Sequence, residues 1–231
     1  MEFLLSSIVW IHVILGSIAV VAGAVAFAMQ KGSQRHIKSG QVFAITMVVS
    51  SIVGAVLGLM KFEQLYITFH GGVLGVTLIL GSILTLRSGK PGLHGWALVV
   101  AAVNLLNFLT LLAAGGYAMG LPEGKLASFN AEDYFFLSAM AGVALFGDVM
   151  MMLRKKLAYK SRIARHLWRM SLGFFIAAGS AFTGPGMKAF PLALQESGAL
   201  MLPEFIIFVL MLFWLARTFM AKPKRASEQT T

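Results

Sequence analysis

Apolar residues run almost unbroken through seven stretches of the chain, at about 5 to 29, 41 to 60, 66 to 86, 95 to 114, 133 to 153, 167 to 184 and 203 to 221. Charge, Gly and Pro collect in the short segments between them. A helix needs roughly 20 apolar residues to cross about 30 Å of hydrocarbon. Lipid cannot bond to backbone amides, so runs of this length with no interior Pro predict helices and not strands. Pro91, Pro122, Pro185, Pro191, Pro203 and Pro223 all fall in connections or at span ends, where a missing N–H is harmless. The pattern therefore predicts an all-α integral membrane protein, a seven-transmembrane-helix bundle. Residues 1–221 form its single domain and residues 222–231 a polar, disordered cytoplasmic tail.

Basic residues orient this bundle. Sixteen of the nineteen Lys and Arg residues fall in four clusters: Lys31, Arg35 and Lys38; Arg87 and Lys90; Arg154, Lys155, Lys156, Lys160, Arg162, Arg165 and Arg169; and Arg217, Lys222, Lys224 and Arg225. Each cluster follows a pair of spans, apart from the first, which follows one. By the positive-inside rule these ends are cytoplasmic, the N-terminus is outside and the C-terminus is inside. Only Lys61, Lys125 and Lys188 lie on the opposite side, beside most of the acids. The net charge of +10 thus reports membrane orientation and requires no nucleic acid. The first span opens on Met1 and Glu2 without a basic leader, so it is expected to be retained. With no cysteine, the chain has no disulfide, thiolate metal site or cysteine nucleophile.

Two outer connections, 115 to 132 and 185 to 202, are long enough to cap an outward cavity. Small residues recur four apart at Gly54 and Gly58, Gly71 and Gly75, and Ala177 and Ala181, a spacing that lets helices approach closely. There is also an internal echo. His12, Gly23 and His36 stand at offsets 0, 11 and 24, and His70, Gly81 and His94 repeat those offsets. A duplicated helical hairpin is one source of such a match, and chance is the other.

Ionisable groups inside a membrane are expensive and few, so each is a functional candidate. His12 lies 19 residues before Lys31 and His70 17 before Arg87, placing both about 26 to 28 Å above the inner boundary. If the first and third helices face each other, these two imidazoles can ligate one metal, as in a bis-histidine haem b, with Gly16 leaving room for the macrocycle. Simple solvation at the outer interface is the competing account. His36, His94 and His166 lie near the inner boundary, where they offer a second axial pair or contact lipid headgroups. Asp148 is the one acid within a span and needs a partner; Arg169 is in reach, and so are Arg165 and His166. Asn104 and Asn107, one turn apart near mid-membrane, bond between helices or line a polar cavity. Met150, Met151 and Met152 point in different directions and read as packing. No Lys in the last span offers a retinal attachment, and no zinc helix, nucleophile elbow or phosphate loop is present.

The run Trp10, Ile11, His12, Gly16, Gly23, Lys31, Gly32, His36, Gly40, Met47 resembles the opening of an uncharacterised bacterial multi-pass membrane family, domain of unknown function 2306. His166, Trp168, Arg169 and Met170 resemble that family's His-Arg-x-Trp-Met segment, with Leu167 standing between His and Trp here. The resemblance implies that His12, His36 and His166 are signature positions and that the membrane is the plasma (inner) membrane of a bacterium. It implies no activity.

Three functions stay open. One is haem-based electron transfer through His12 and His70 to a redox partner. Another is a small-solute or proton-coupled transporter whose path includes Asp148, Arg169, Asn104 and Asn107. The third is an accessory membrane protein with no site of its own. Whether the protein is an enzyme or an oligomer is likewise open.

Overall fold

A computed structural model describes residues 2–87, 93–154 and 157–220, with side chains described for all of these except 2–4, 93 and 94. The tail 222–231 expected to be disordered lies outside the described residues, and so do Lys90, Pro91, Lys155, Lys156 and the imidazole of His94. The protein is all-α. Its helices are α1 (Glu2–Ala28), α2 (Gln34–Met60), α3 (Phe62–Leu86), α4 (Leu93–Met119), α5 (Ala131–Met152), α6 (Tyr159–Phe182), the short α7 (Leu192–Glu196) and α8 (Leu202–Met220). Six of the long helices are apolar enough to cross a membrane; α6 is as long but carries too much charge to join them.

The ends of these helices are fixed by local chemistry. Gly32, at φ 82°, turns the chain between α1 and α2, a conformation that favours a residue without Cβ. Ser33 then caps α2, its hydroxyl accepting from the His36 amide at 3.2 Å. Lys31 closes the C-terminus of α1 by donating to the Ala26 and Phe27 carbonyls at 3.2 and 2.7 Å. Its ammonium lies 4.9 Å from the centre of the Trp214 ring on α8, and burial holds its pKa below the usual lysine value. At the start of α5 the Asn130 amide donates to Asp133 at 2.9 Å.

The spans run past several of the sequence limits. The fourth helix continues to Met119 through Gly115 and Gly116, because a backbone in an apolar setting keeps its own hydrogen bonds. What remains of the loop 115 to 132 is a tight hairpin. Its strands, β1 (Lys125–Leu126) and β2 (Phe129–Asn130), pair antiparallel across Ala127 and Ser128, both at positive φ. The hairpin helps form an open depression lined by Met119, Gly124, Asn130, Ala131 and Glu132. The sixth helix begins at Tyr159, eight residues before its apolar stretch, because Arg165 and Arg169 turn inward instead of breaking the helix. The segment 185 to 202 folds into two 3-10 turns flanking α7.

Packing makes α3 the hub. It touches α2, α4, α5 and α6, while α1 packs on α2, α5 on α4, and α6 also on α1 and α8. The α2–α3 contact is close at the backbone: a Cβ on Gly72 would stand 2.4 Å from the Ser51 carbonyl oxygen, and one on Gly58 2.4 Å from the Phe69 amide nitrogen. Two apolar cores result, one around Phe174 against α1, α2 and α3, the other around Tyr134, Leu74 and Leu111 between α3, α4 and α5. Large apolar side chains such as Ile45, Leu106, Phe146 and Phe205 stay exposed on the outside of the bundle. Lipid, not water, is the solvent that tolerates such a surface.

Candidate functional site

Polar side chains collect on one stripe of α3. His70, Thr77, Gly81 and Thr85 recur at spacings of seven, four and four, which keeps them on one helical face. That face looks into the space shared by α4, α5 and α6, where Asn104, Asn107, Asp148, Arg165 and Arg169 are also buried. Helix propensity does not require this arrangement; inward-facing polar groups do, because none of them is tolerated against lipid.

The lower half of this column is ionic. Asp148 Oδ1 accepts from Arg165 Nη2 at 2.5 Å and from Arg169 Nη2 at 2.7 Å, while Oδ2 accepts from Asn104 Nδ2 at 3.2 Å. Arg165 Nε donates to Thr85 at 2.8 Å. Arg169 donates further to the Thr77 and Ala144 carbonyls at 3.1 and 2.9 Å. All three charged groups are 6% exposed or less, so their neutralisation comes from one another and not from solvent. Two arginines face one carboxylate, and the cluster carries an excess positive charge. Glycines make its space: a Cβ on Gly81 would lie 1.7 Å from Arg169 Nη1, and one on Gly147 2.8 Å from Arg165 Nη1.

The upper half is neutral. Asn107 Nδ2 donates to the His70 carbonyl at 3.2 Å, which turns its Oδ1 toward the ring to accept from Nδ1 at 2.7 Å. With its proton on Nδ1, a neutral His70 presents a lone pair at Nε2. That atom is buried and has no hydrogen-bond partner among the described residues. The Tyr66 ring stands edge-on 4.8 Å away, Tyr134 stands 6.4 Å beyond Tyr66, and the Tyr134 hydroxyl donates to the Leu126 carbonyl in the outer hairpin at 2.8 Å. Asn104 lies between the halves, accepting from Thr77 at 3.3 Å one turn from Asn107.

The histidines singled out in the sequence are distributed differently. His12 points at α2, its Nδ1 donating to the Ser50 carbonyl at 2.9 Å, while the Ser50 hydroxyl donates to the His12 carbonyl at 3.0 Å. That hydroxyl also lies 3.3 Å from where a Cβ on Gly16 would stand. His12 and His70, paired in the haem expectation, thus occupy separate helix interfaces, and each has an Nδ1 partner of its own. Among the described residues no group of three or more His, Cys, Asp or Glu is placed to hold a metal ion. His36 Nδ1 donates to the Ala26 carbonyl at 3.0 Å, and His166 Nδ1 lies 2.8 Å from the Ser82 hydroxyl, not against Asp148.

Asp148, Arg169 and Asn104 are brought together as one network with Arg165, while Asn107 pairs with His70 one helical turn away from Asn104. Thr77, Thr85, Gly81 and Gly147 were not recognised as parts of it in the sequence. The signal available was their spacing from His70 and Asp148. No family model, curated protein or solved structure matches the chain.

Proposed function

We propose that the chain is a plasma-membrane transporter of seven spans, N-terminus outside and C-terminus cytoplasmic, that moves a small solute coupled to a proton through the polar column between α3, α4, α5 and α6. One observation carries this reading: the length of the column. From Tyr66 to Thr85 it occupies 19 residues of α3, about 28 Å of rise, close to the full hydrocarbon thickness of about 30 Å. A structural clamp needs one or two buried polar contacts, whereas this stripe supplies them at three levels, His70 with Asn107, Thr77 with Asn104 and Thr85 with Arg165. With the sixth helix counted as a span, the total reaches seven. At 24 residues it is about 36 Å long, and its buried guanidinium groups, which lower its hydropathy, face the column.

The chemistry divides along the column. His70 is the group that takes the proton: Nε2 accepts it, the resulting imidazolium has both nitrogens protonated, and loss of the same proton restores the neutral ring. Asn107 fixes the tautomer in which Nε2 is ready. The Asp148, Arg165 and Arg169 cluster carries net positive charge and opposes passage of free cations. Asn104 and Thr77 offer uncharged bonding groups between the two.

Proteoliposomes with an imposed pH gradient test this reading, with chloride, sulfate or phosphate in turn as the main anion. The wild-type protein is expected to dissipate the gradient faster than protein-free liposomes with at least one of them. His70→Gln, with its thermal unfolding unchanged, is expected to fall to the protein-free rate. Wild-type rates equal to those of protein-free liposomes with all three anions would refute it.

A further inference from the structure

The N-terminal half of α6 holds more positive charge than the ionic cluster uses. Arg162, Arg165 and Arg169 follow the spacing i, i+3, i+7, so they form one ladder down a single face of the helix. Burial deepens along it, from the half-buried Arg162 to the 6% exposed Arg165 and the fully buried Arg169. The only ion pairs among the described residues are those of Arg165 and Arg169 with Asp148. The Arg162 side chain makes no hydrogen bond to any described residue, and its Nε is buried without a partner; the same holds for Nε of Arg169. Arg165 commits Nε to Thr85 and Nη2 to Asp148, and its Nη1 bonds no described residue.

Several other basic groups on this side are engaged elsewhere. Lys160 donates to the Phe219 carbonyl on α8, Lys31 is bound to the end of α1, and the imidazoles of His36 and His166 bond Ala26 and Ser82. Asp148 lies on the core side of Arg165, its charge already answered by two guanidinium groups. A buried guanidinium N–H without an acceptor is costly, and a planar array of such donors matches a tetrahedral oxyanion.

We infer that the open end of this ladder is an oxyanion site, in which Arg162 and Nη1 of Arg165 bind a phosphate-type group arriving from the cytoplasmic face. Resting on the transporter reading, this names the solute as a small oxyanion. The same chemistry also suits an anionic lipid headgroup. Arg162 is the rim of the site and Arg165 its floor, so the bound group neutralises the excess charge before it meets Asp148.

The test is binding, measured without transport. Detergent-solubilised wild-type protein is titrated with inorganic phosphate by calorimetry and by thermal unfolding. In parallel, phosphatidylglycerol retained through purification is measured by mass spectrometry. Phosphate binding that Arg162→Gln weakens about tenfold or more, and that Arg217→Gln leaves unchanged, supports the free-anion source. Retained phosphatidylglycerol lost in Arg162→Gln, with no phosphate binding, supports the headgroup source. Neither ligand on the wild-type protein, or either one held equally by an Arg162→Gln protein as stable as wild type, overturns the site. Binding without gradient dissipation would reject the transporter reading and leave the site standing; dissipation without binding would do the reverse.

Discussion

At the scale of single residues, the column depends on a glycine as much as on its charges. The Arg169 guanidinium occupies the place where a side chain on Gly81 would begin. Gly81→Ala therefore forces Arg169 away from Asp148, Thr77 and Ala144 at once. Breaking a buried pair of this kind costs about 3–5 kcal/mol, so this substitution is expected to lower the unfolding temperature sharply, by calorimetry, although it adds one methyl group. Unchanged stability would mean that Arg169 has another place to go. The sequence showed Asp148, Arg169, Asn104 and Asn107 as candidates because polar residues stand out in apolar runs. Thr77 and Thr85 did not stand out, since hydroxyls are common in membrane helices and satisfy themselves on the preceding turn, as both do here. Which histidine meets which partner was equally hidden. Depth along a helix follows from residue counts, but facing direction does not, and His12 and His70 share a depth while turning to different neighbours.

Between elements, close approach is set by which glycine faces the neighbouring helix. The pair Gly71 and Gly75 was evident from spacing, yet the tightest contact on that stretch is made by Gly72. A Cβ on Gly71 would meet only Leu137 at 3.7 Å, an ordinary contact, whereas one on Gly72 would strike the α2 backbone. Gly72→Ala should therefore destabilise the protein by about 1–3 kcal/mol through overpacking. Gly71→Ala should be neutral or stabilising by about 0.5–1 kcal/mol through helix propensity. Denaturant unfolding in detergent separates the two, and equal effects would contradict the α2–α3 packing. The echo between the first two hairpins gains structural content at this scale. His12 and His70 each bond the helix that follows, through Ser50 and Asn107, and Gly23 and Gly81 each face α6, receiving Phe174 and Arg169. The first hairpin meets α6 through an aromatic ring and the second through a charge, which places the polar column beside α3 and leaves α1 to packing.

For the whole molecule, hydropathy made the helical class and most span limits legible, because lipid imposes length and continuity on each helix. It failed in part at α6, where the same charges that depress hydropathy are the ones folded inside. A window average cannot tell a charge exposed to water from one buried against Asp148. That is the helix on which the bundle keeps charge inside. If the buried column is the route of transport, the solute passes Asn104, which is bonded to both Asp148 and Thr77. Replacing it by Leu keeps the branching and number of side-chain heavy atoms and removes its hydrogen bonds without altering any charge. The most direct measurement is the rate at which Asn104→Leu protein dissipates a pH gradient in proteoliposomes, beside wild type and with unfolding temperature recorded for both. The account predicts a folded variant whose rate falls to that of protein-free liposomes; a folded variant that matches an active wild type would contradict it.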